Sequence, residues 1–175
     1  TAIVEGLASR IADGDVPALP HGDVEEQRPR GQRGLHGRFL GGAAPRDITF
    51  GEFSRLTNRF ANVLCELGVG KGDRLFVLTG RIPELYIAVL GSFKNGTVVS
   101  PLFSAFGPEP IATRVNLGEG RVLVTTDLLY ERKVAKWRDT MPTLEHVLLV
   151  AEEGGRTDIP GTLDLATLMA DAGEV

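Results

Sequence analysis

Two periods of apolar residues alternate along most of the chain, one of helices and one of buried strands. Phe53, Leu56, Phe60, Val63, Leu64 and Leu67 recur at helical spacing, which predicts an amphipathic helix from about residue 50 to Gly68. Thr49 and Glu52 form a Thr-x-x-Glu capping box at its start, and Gly68 falls where a left-handed capping residue belongs. Arg74 to Thr79 is a mostly continuous apolar run, the pattern of a strand covered on both faces. Pro83 suits the first position of a second helix, carried by Leu85, Tyr86, Val89, Leu90 and Phe93 to Asn95-Gly96. "TVVSPLF" reads as a buried strand, "GPEPIATRVNL" as a helix opened by Pro108, and "RVLVTT" as a strand. Asp127 to Trp137 reads as a helix, "HVLLV" as a strand, and Leu165, Leu168, Met169 and Ala172 as a last short helix. Strands alternating with single helices imply right-handed crossovers, so the expected fold class is α/β, a mostly parallel sheet with helices on its faces.

The first 37 residues follow neither pattern for long. Ile3, Val4, Leu7, Ala8 and Ile11 predict a short helix over 2–12. Asp15 to Gly37, including "RPRGQRGLHGR", has no periodicity and is expected to be an irregular Arg/Gly-rich loop. "RFLGGAAPRDITF" then resembles two short strands of a hairpin about Gly41-Gly42. The chain therefore divides into 1–37, helix and loop, and 38–175, an α/β unit.

A length of 175 residues with 42% hydrophobic residues is enough for one domain with a sizeable core. The net charge of −4 gives no global attraction to nucleic acid or anionic membrane. Arg28, Arg30, Arg33 and Arg38 form a local basic run, but without interleaved aromatics for base stacking, so no nucleic-acid partner is expected. No run approaches the ~18 apolar residues of a membrane span, and the N-terminus lacks the apolar stretch of a signal peptide. A lone cysteine, Cys65, makes no internal disulfide, and with His21, His36 and His146 it shows no metal-ligand spacing, so no metal site is expected. These features fit a cytoplasmic protein.

Reactive constellations are scarce. "GVGKG" at 68–72 follows a helix and precedes a strand, the reverse of a dinucleotide-binding loop, and is expected to be a helix cap with a tight turn. No serine lies in a G-x-S-x-G elbow. Cys65 is expected to be a buried inert thiol, His146 a surface or capping residue, and the Glu25-Glu26 and Glu152-Glu153 pairs solvated loop residues. What remains is positional. In open parallel sheets ligands sit beyond the carboxyl ends of the strands, here "TGRIPE", "LFSAFGPE" and "TTDLLYERK". Helix starts there, with Arg81, Arg132 and Lys133, suit an anionic or phosphate-bearing ligand.

The stretches "ITFGEFSRLTNRFANVLCELGVGKGDRLFVL", "RIPELYIAVLGSFKNGTVVSPLFSAFGPEPIATRV" and "VLVTTDLLYERK…MPTLEHVLLV" together resemble the AMP-forming acyl-CoA synthetases of the adenylate-forming superfamily, in their acetate-CoA ligase branch. The resemblance covers roughly 38–150. It implies a reaction in which a carboxylate and ATP, with Mg2+, give an acyl-adenylate and pyrophosphate, after which the thiol of coenzyme A displaces AMP. It also implies that this chain is the first part of the large N-terminal domain. The family's Ser/Thr/Gly-rich phosphate loop, adenine segment, hinge aspartate and catalytic lysine would lie beyond Val175, so no catalytic residue is assigned within the chain.

An aromatic-Gly-Gly turn of the family that lines the coenzyme A path falls at Phe103-Ser104-Ala105, with serine and alanine in place of the glycines. An arginine after the third strand that approaches the coenzyme A nucleotide falls at Glu131 or, with a one-residue shift, at Arg132. The resemblance finds no counterpart for residues 15–37, which are expected to be an insertion or a stretch read out of frame. The function expected is part of an acetate or short-chain acyl-CoA ligase, inactive alone, with acetate or a short acyl acid, ATP and coenzyme A as substrates. The competing expectation is a stand-alone α/β module that binds coenzyme A or another nucleotide. A partial domain should also expose apolar surface and self-associate through it.

Overall fold

The computed structural model describes residues 34–37 and 46–173. The expected helix over 2–12, most of the Arg/Gly-rich loop and the Gly41-Gly42 turn lie outside the described residues. A hairpin is present, and its strands are β1 (Gly34–Gly37) and β2 (Arg46–Thr49), paired antiparallel with Leu35 opposite Ile48. Gly34 to Gly37 is therefore strand and not loop. The glycine- and histidine-rich "GLHG" lacks an apolar alternation, and it is backbone pairing with β2 that makes it extended.

Thr49 ends β2 and caps α1 (Phe50–Glu66), its Oγ1 accepting the Glu52 N–H at 3.1 Å. Phe53, Thr57, Phe60, Val63 and Leu64 form the buried face. Gly68, at φ +70°, closes the helix: its N–H reaches Cys65 O at 3.0 Å and the Val69 N–H reaches Leu64 O at 2.9 Å. The "GVGKG" segment is thus a helix cap followed by a turn, in which Asp73 Oδ2 accepts the Gly70 N–H at 2.9 Å.

The main sheet is wholly parallel and runs in the order β4, β3, β5, β6, β7. Its strands are β3 (Arg74–Leu78), β4 (Val98–Pro101), β5 (Val122–Thr126), β6 (His146–Val150) and the short β7 (Leu163–Asp164). The helices that cross between them are α2 (Pro83–Asn95), α3 (Pro108–Leu117) and a composite segment beginning with α4 (Asp127–Leu129), while α5 (Leu165–Asp171) follows β7. Alternate strand residues feed two cores. Leu75, Val77, Val122, Val124 and Leu148 meet α1, α2 and α5. Phe76, Leu78, Leu123, Val147 and Leu149 meet α3 and the segment after β5. Residues apolar at every position are what a sheet covered on both faces requires.

Three expectations give way. Of the apolar residues expected to carry α2, Leu85 and Val89 pack part-buried against the core, but Tyr86, Leu90 and Phe93 face outward, Phe93 61% and Leu90 41% exposed, while Ile87, Ala88, Gly91 and Ser92 are buried. Small residues win the inner face because α2 lies close on α1; a Cβ on Gly91 would stand 2.7 Å from the Phe60 ring and 2.9 Å from Thr57 O. Second, β4 is an edge strand, with Val98, Ser100 and Pro101 exposed. Third, the helix expected over 127–137 is uneven: α4 passes into a π-helical turn, Tyr130–Val134, and then a 3-10 segment, Ala135–Thr140. The wide turn is closed by the Ala135 N–H on Tyr130 O, and Tyr130 and Val134, four residues apart and so on one face, both lie in the core.

Candidate functional site

The chain passes from β3 to β4 on one side and then back across β3 to β5 on the other, so the switch in strand order lies between β3 and β5. α2 leaves β3 on one face of the sheet, whereas Tyr130 and Val134, after β5, pack on the opposite face. Diverging crossovers leave a gap beyond the carboxyl ends of the strands, where ligands of open α/β sheets collect. A crevice of about 220 Å³ occupies that edge. It is lined by Gly80 and Ile82 after β3, Ser104 after β4, Thr126, Leu128, Leu129 and Arg132 at the end of β5 and beyond, and Glu152 after β6.

Local chemistry fixes each wall. Thr126 caps α4 by accepting the Leu129 N–H at 3.3 Å, and its hydroxyl donates to Glu152 Oε2 at 3.2 Å. Asp127 Oδ1 accepts the N–H groups of Leu128, at 2.8 Å, and Glu152, at 3.2 Å. The loops after β5 and β6 are thereby tied together. Glu152, expected to be a solvated loop carboxylate, is exposed yet lines the crevice. The Thr-Asp pair ending a strand is a helix-cap signal; nothing local to Glu152 marks it.

The opposite wall is the turn Phe103–Phe106. It leaves the ladder at Leu102, whose N–H bonds Val77 O at 2.7 Å, and closes with the Phe106 N–H on Phe103 O at 3.0 Å. The two rings meet edge to face at 5.8 Å, and the Arg114 guanidinium lies 4.2 Å over the Phe106 ring. Lys133 Nζ donates to Ser104 O at 2.5 Å and to Phe106 O at 2.8 Å. α2 and α3 begin at Ile82 and Gly107 with no side-chain cap, but Pro83, Pro108 and Pro110 have no N–H, and the Leu85 and Ile111 N–H groups bond Ile82 O and Gly107 O at 3.1 and 3.3 Å, so these helix starts offer few donors to a ligand.

Of the residues singled out in sequence, Ser104 and Arg132 meet in the crevice. Phe103, 66% exposed, and Ala105, also exposed, flank Ser104 without lining it. Arg81 is exposed on the loop after β3. Lys133, expected to be open to an anionic ligand, has its ammonium engaged on two backbone carbonyls instead. Cys65, expected to be buried, is exposed and accepts a hydrogen bond from Asn95 Nδ2 at 3.1 Å. His146 opens β6 at the amino edge of the sheet, away from the crevice. Among the described residues, no group of three or more His, Cys, Asp or Glu could hold a metal ion, and no helix is long and apolar enough to cross a membrane.

The perturbed carboxylates lie away from the crevice. Asp73 and Glu145 flank Arg121 before β3, β6 and β5, at 2.7 and 2.6 Å. The Gly70 N–H, together with Arg121 and Arg74, holds the Asp73 carboxyl below the usual range against a desolvation cost. Hydrogen bonding to Arg121 does the same for Glu145. For Asp164, burial pushes upward, but donors from Thr167 and Thr157 prevail and lower it. These groups stitch the scaffold.

A sequence model of the AMP-binding enzymes matches residues 27–165. The acetyl-coenzyme A synthetase of Bacillus subtilis is 42% identical over 106 residues, 60% of this chain and 18% of that protein. Among solved structures, the acetoacetyl-CoA synthetase of Streptomyces lividans superposes with a TM-score of 0.68 at 30% identity, covering 75% of this chain and 21% of that one. An anthranilate CoA ligase in complex with anthranoyl-AMP shares the fold, with a TM-score of 0.69 at 22% identity over 74% of this chain and 24% of its own. The chain thus spans about a fifth of the length of the relatives it matches.

Proposed function

The chain belongs to the AMP-binding enzyme family, and we propose that it is the first part of the N-terminal domain of an AMP-forming acetate or short-chain acyl-CoA ligase. In that reaction a carboxylate attacks ATP, giving an acyl-adenylate and pyrophosphate; the thiol of coenzyme A then attacks the acyl carbon and releases AMP. Mg2+ enters with ATP as part of the substrate. The single observation that carries the reading is the meeting of Ser104 and Arg132 in one crevice at the carboxyl edge of the sheet, in a chain 42% identical to an acetyl-coenzyme A synthetase over 106 residues.

In this reading the crevice is the coenzyme A side of the site. Arg132 supplies a cation for the nucleotide phosphates, and the Phe103–Ala105 turn supplies the wall along which the pantetheine arm runs. A guanidinium suits that role because its planar fork meets phosphate oxygens in pairs. The adenylating groups come from polypeptide outside this chain, so the chain alone performs neither step. The reading places the protein in the cytoplasm, where these substrates are met.

A chimera tests it. The 175-residue chain replaces the matching segment of the Bacillus subtilis enzyme, and pyrophosphate release and coenzyme A-dependent AMP formation are followed separately. Both should occur. Arg132→Ala should raise the KM for coenzyme A about tenfold, the loss of one charge-assisted contact, and leave pyrophosphate release unchanged. Pyrophosphate release by the chain alone would overturn the proposal, and saturable coenzyme A binding by the chain alone would favour the stand-alone module.

A further inference from the structure

Lys133 joins two loops that bound the crevice and that nothing in the backbone joins. The turn Phe103–Phe106 follows an exposed edge strand, so ladder pairing supports it from one side alone. Across the gap, Lys133 Nζ spends two of its three donors on Ser104 O and Phe106 O. Its neighbour Arg132, in the same π-helical turn, lines the crevice. Two consecutive cations thus divide the work: one is presented to the ligand space and the other clamps the facing wall. Two carbonyls held by one part-buried ammonium fix the height and tilt of the Ser104 backbone, because a displacement that lengthens one bond disturbs the other.

We infer that Lys133 is a positioning residue which, by clamping the Ser104–Phe106 turn against the π-helical turn, sets the width of the crevice and so its affinity for coenzyme A. The clamp is independent of the ligand's identity; its effect on coenzyme A rests on the function proposed above. Hydrogen exchange on the 175-residue chain reads the clamp directly. Lys133→Met keeps the aliphatic stem and removes the donors, so exchange at the Phe106 amide should rise about tenfold or more, while β5 and β6 keep their protection. Lys133→Arg, which can still donate to both carbonyls, should return most of that protection. In the chimera, Lys133→Met should raise the KM for coenzyme A about fivefold, with the KM for ATP and the rate of pyrophosphate release unmoved.

Unchanged exchange at Phe106 in Lys133→Met overturns the inference. So does a uniform loss of protection across β5 and β6, which marks a general stabilising contact. If Lys133→Met does not fold, Lys133→Gln, whose amide keeps a donor on a shorter stem, gives the intermediate exchange, and wild-type exchange there also overturns it. Loosened exchange with an unmoved KM for coenzyme A is resolved by Arg132→Ala. If that variant raises the KM, the positioning role alone is lost; if it too leaves the KM unmoved, the reading of the crevice falls, and with it the role assigned to Lys133.

Discussion

At Gly91 the space for one methyl group decides how two helices meet. A Cβ there would stand 2.7 Å from the Phe60 ring and 2.9 Å from Thr57 O, and the second neighbour is backbone that cannot swing aside. Gly91→Ala should gain up to about 1 kcal/mol from helix propensity but lose more by prying α2 from α1, for a net loss of about 1–2 kcal/mol. Gly51→Ala on α1, with nothing within 4 Å of the added methyl, is the control and should be neutral or slightly stabilising. Urea unfolding of both variants checks the sign. A related demand explains why Glu119, not a glycine, takes the left-handed position at φ +46° after α3. Gly118 and Gly120 are held by the Phe76 ring, 2.7 and 2.6 Å from where their Cβ atoms would be. The pattern "LGEG" announces a helix end, but which of its residues turns left-handed is decided by a ring 42 or more positions earlier.

Among elements, the amino edge of the sheet is held by charge. Arg121 precedes β5 and bonds Asp73 ahead of β3 and Glu145 ahead of β6, with a further bond from Nη1 to Gly68 O at 3.3 Å. Both carboxyls are held below their usual values. A carboxylate whose pKa is lower folded than unfolded adds stability above its unfolded pKa and loses it as pH falls through the folded one. Stability from this network should therefore be complete above about pH 5 and decline as pH drops below about 4. Both carboxylates are partly solvated, 26% and 49% exposed, so screening keeps the effect small. Arg121→Met should flatten the acid limb of a stability-against-pH curve measured by denaturant unfolding; an acid limb of unchanged slope would refute the assignment. The strands this network aligns were legible because each carries a short continuous apolar run, Leu75–Leu78, Val122–Val124 or Val147–Val150. The π-helical turn after β5 was not, because "DLLYERKVAKW" has ordinary helical periodicity and nothing local in it marks where the backbone widens.

On the scale of the whole molecule, an apolar band crosses the start of α1, the outer face of α2 and the edge strand β4. Phe50, Phe93 and Val98 are each more than half exposed, and Phe53, Leu85, Tyr86, Val89, Leu90 and Pro101 line a shallow depression between them. Contiguous apolar surface beside an open strand edge drives association. The isolated chain is expected to self-associate as its concentration rises, and Leu90→Glu with Phe93→Glu should reverse this without loss of folded stability. A wild-type monomer that stays monodisperse at high concentration in light scattering would refute it.

The sequence by itself determined the element order from α1 to β6, the parallel α/β class and the family, since these rest on local periodicity, caps and short motifs that each stretch carries within itself, whereas the short strands Gly34–Gly37 and Leu163–Asp164 carry no such signal. It also brought forward Arg132, through its place after a strand, and Ser104, through the family resemblance. Only the tertiary structure decided which face of α2 is inward, that β4 is an edge, that Lys133 clamps a loop and that Glu152 reaches the crevice. Each of those depends on a contact between residues distant along the chain, Gly91 with Phe60, Lys133 with Ser104 or Glu152 with Thr126, and a periodicity records how a segment faces itself, not what stands opposite.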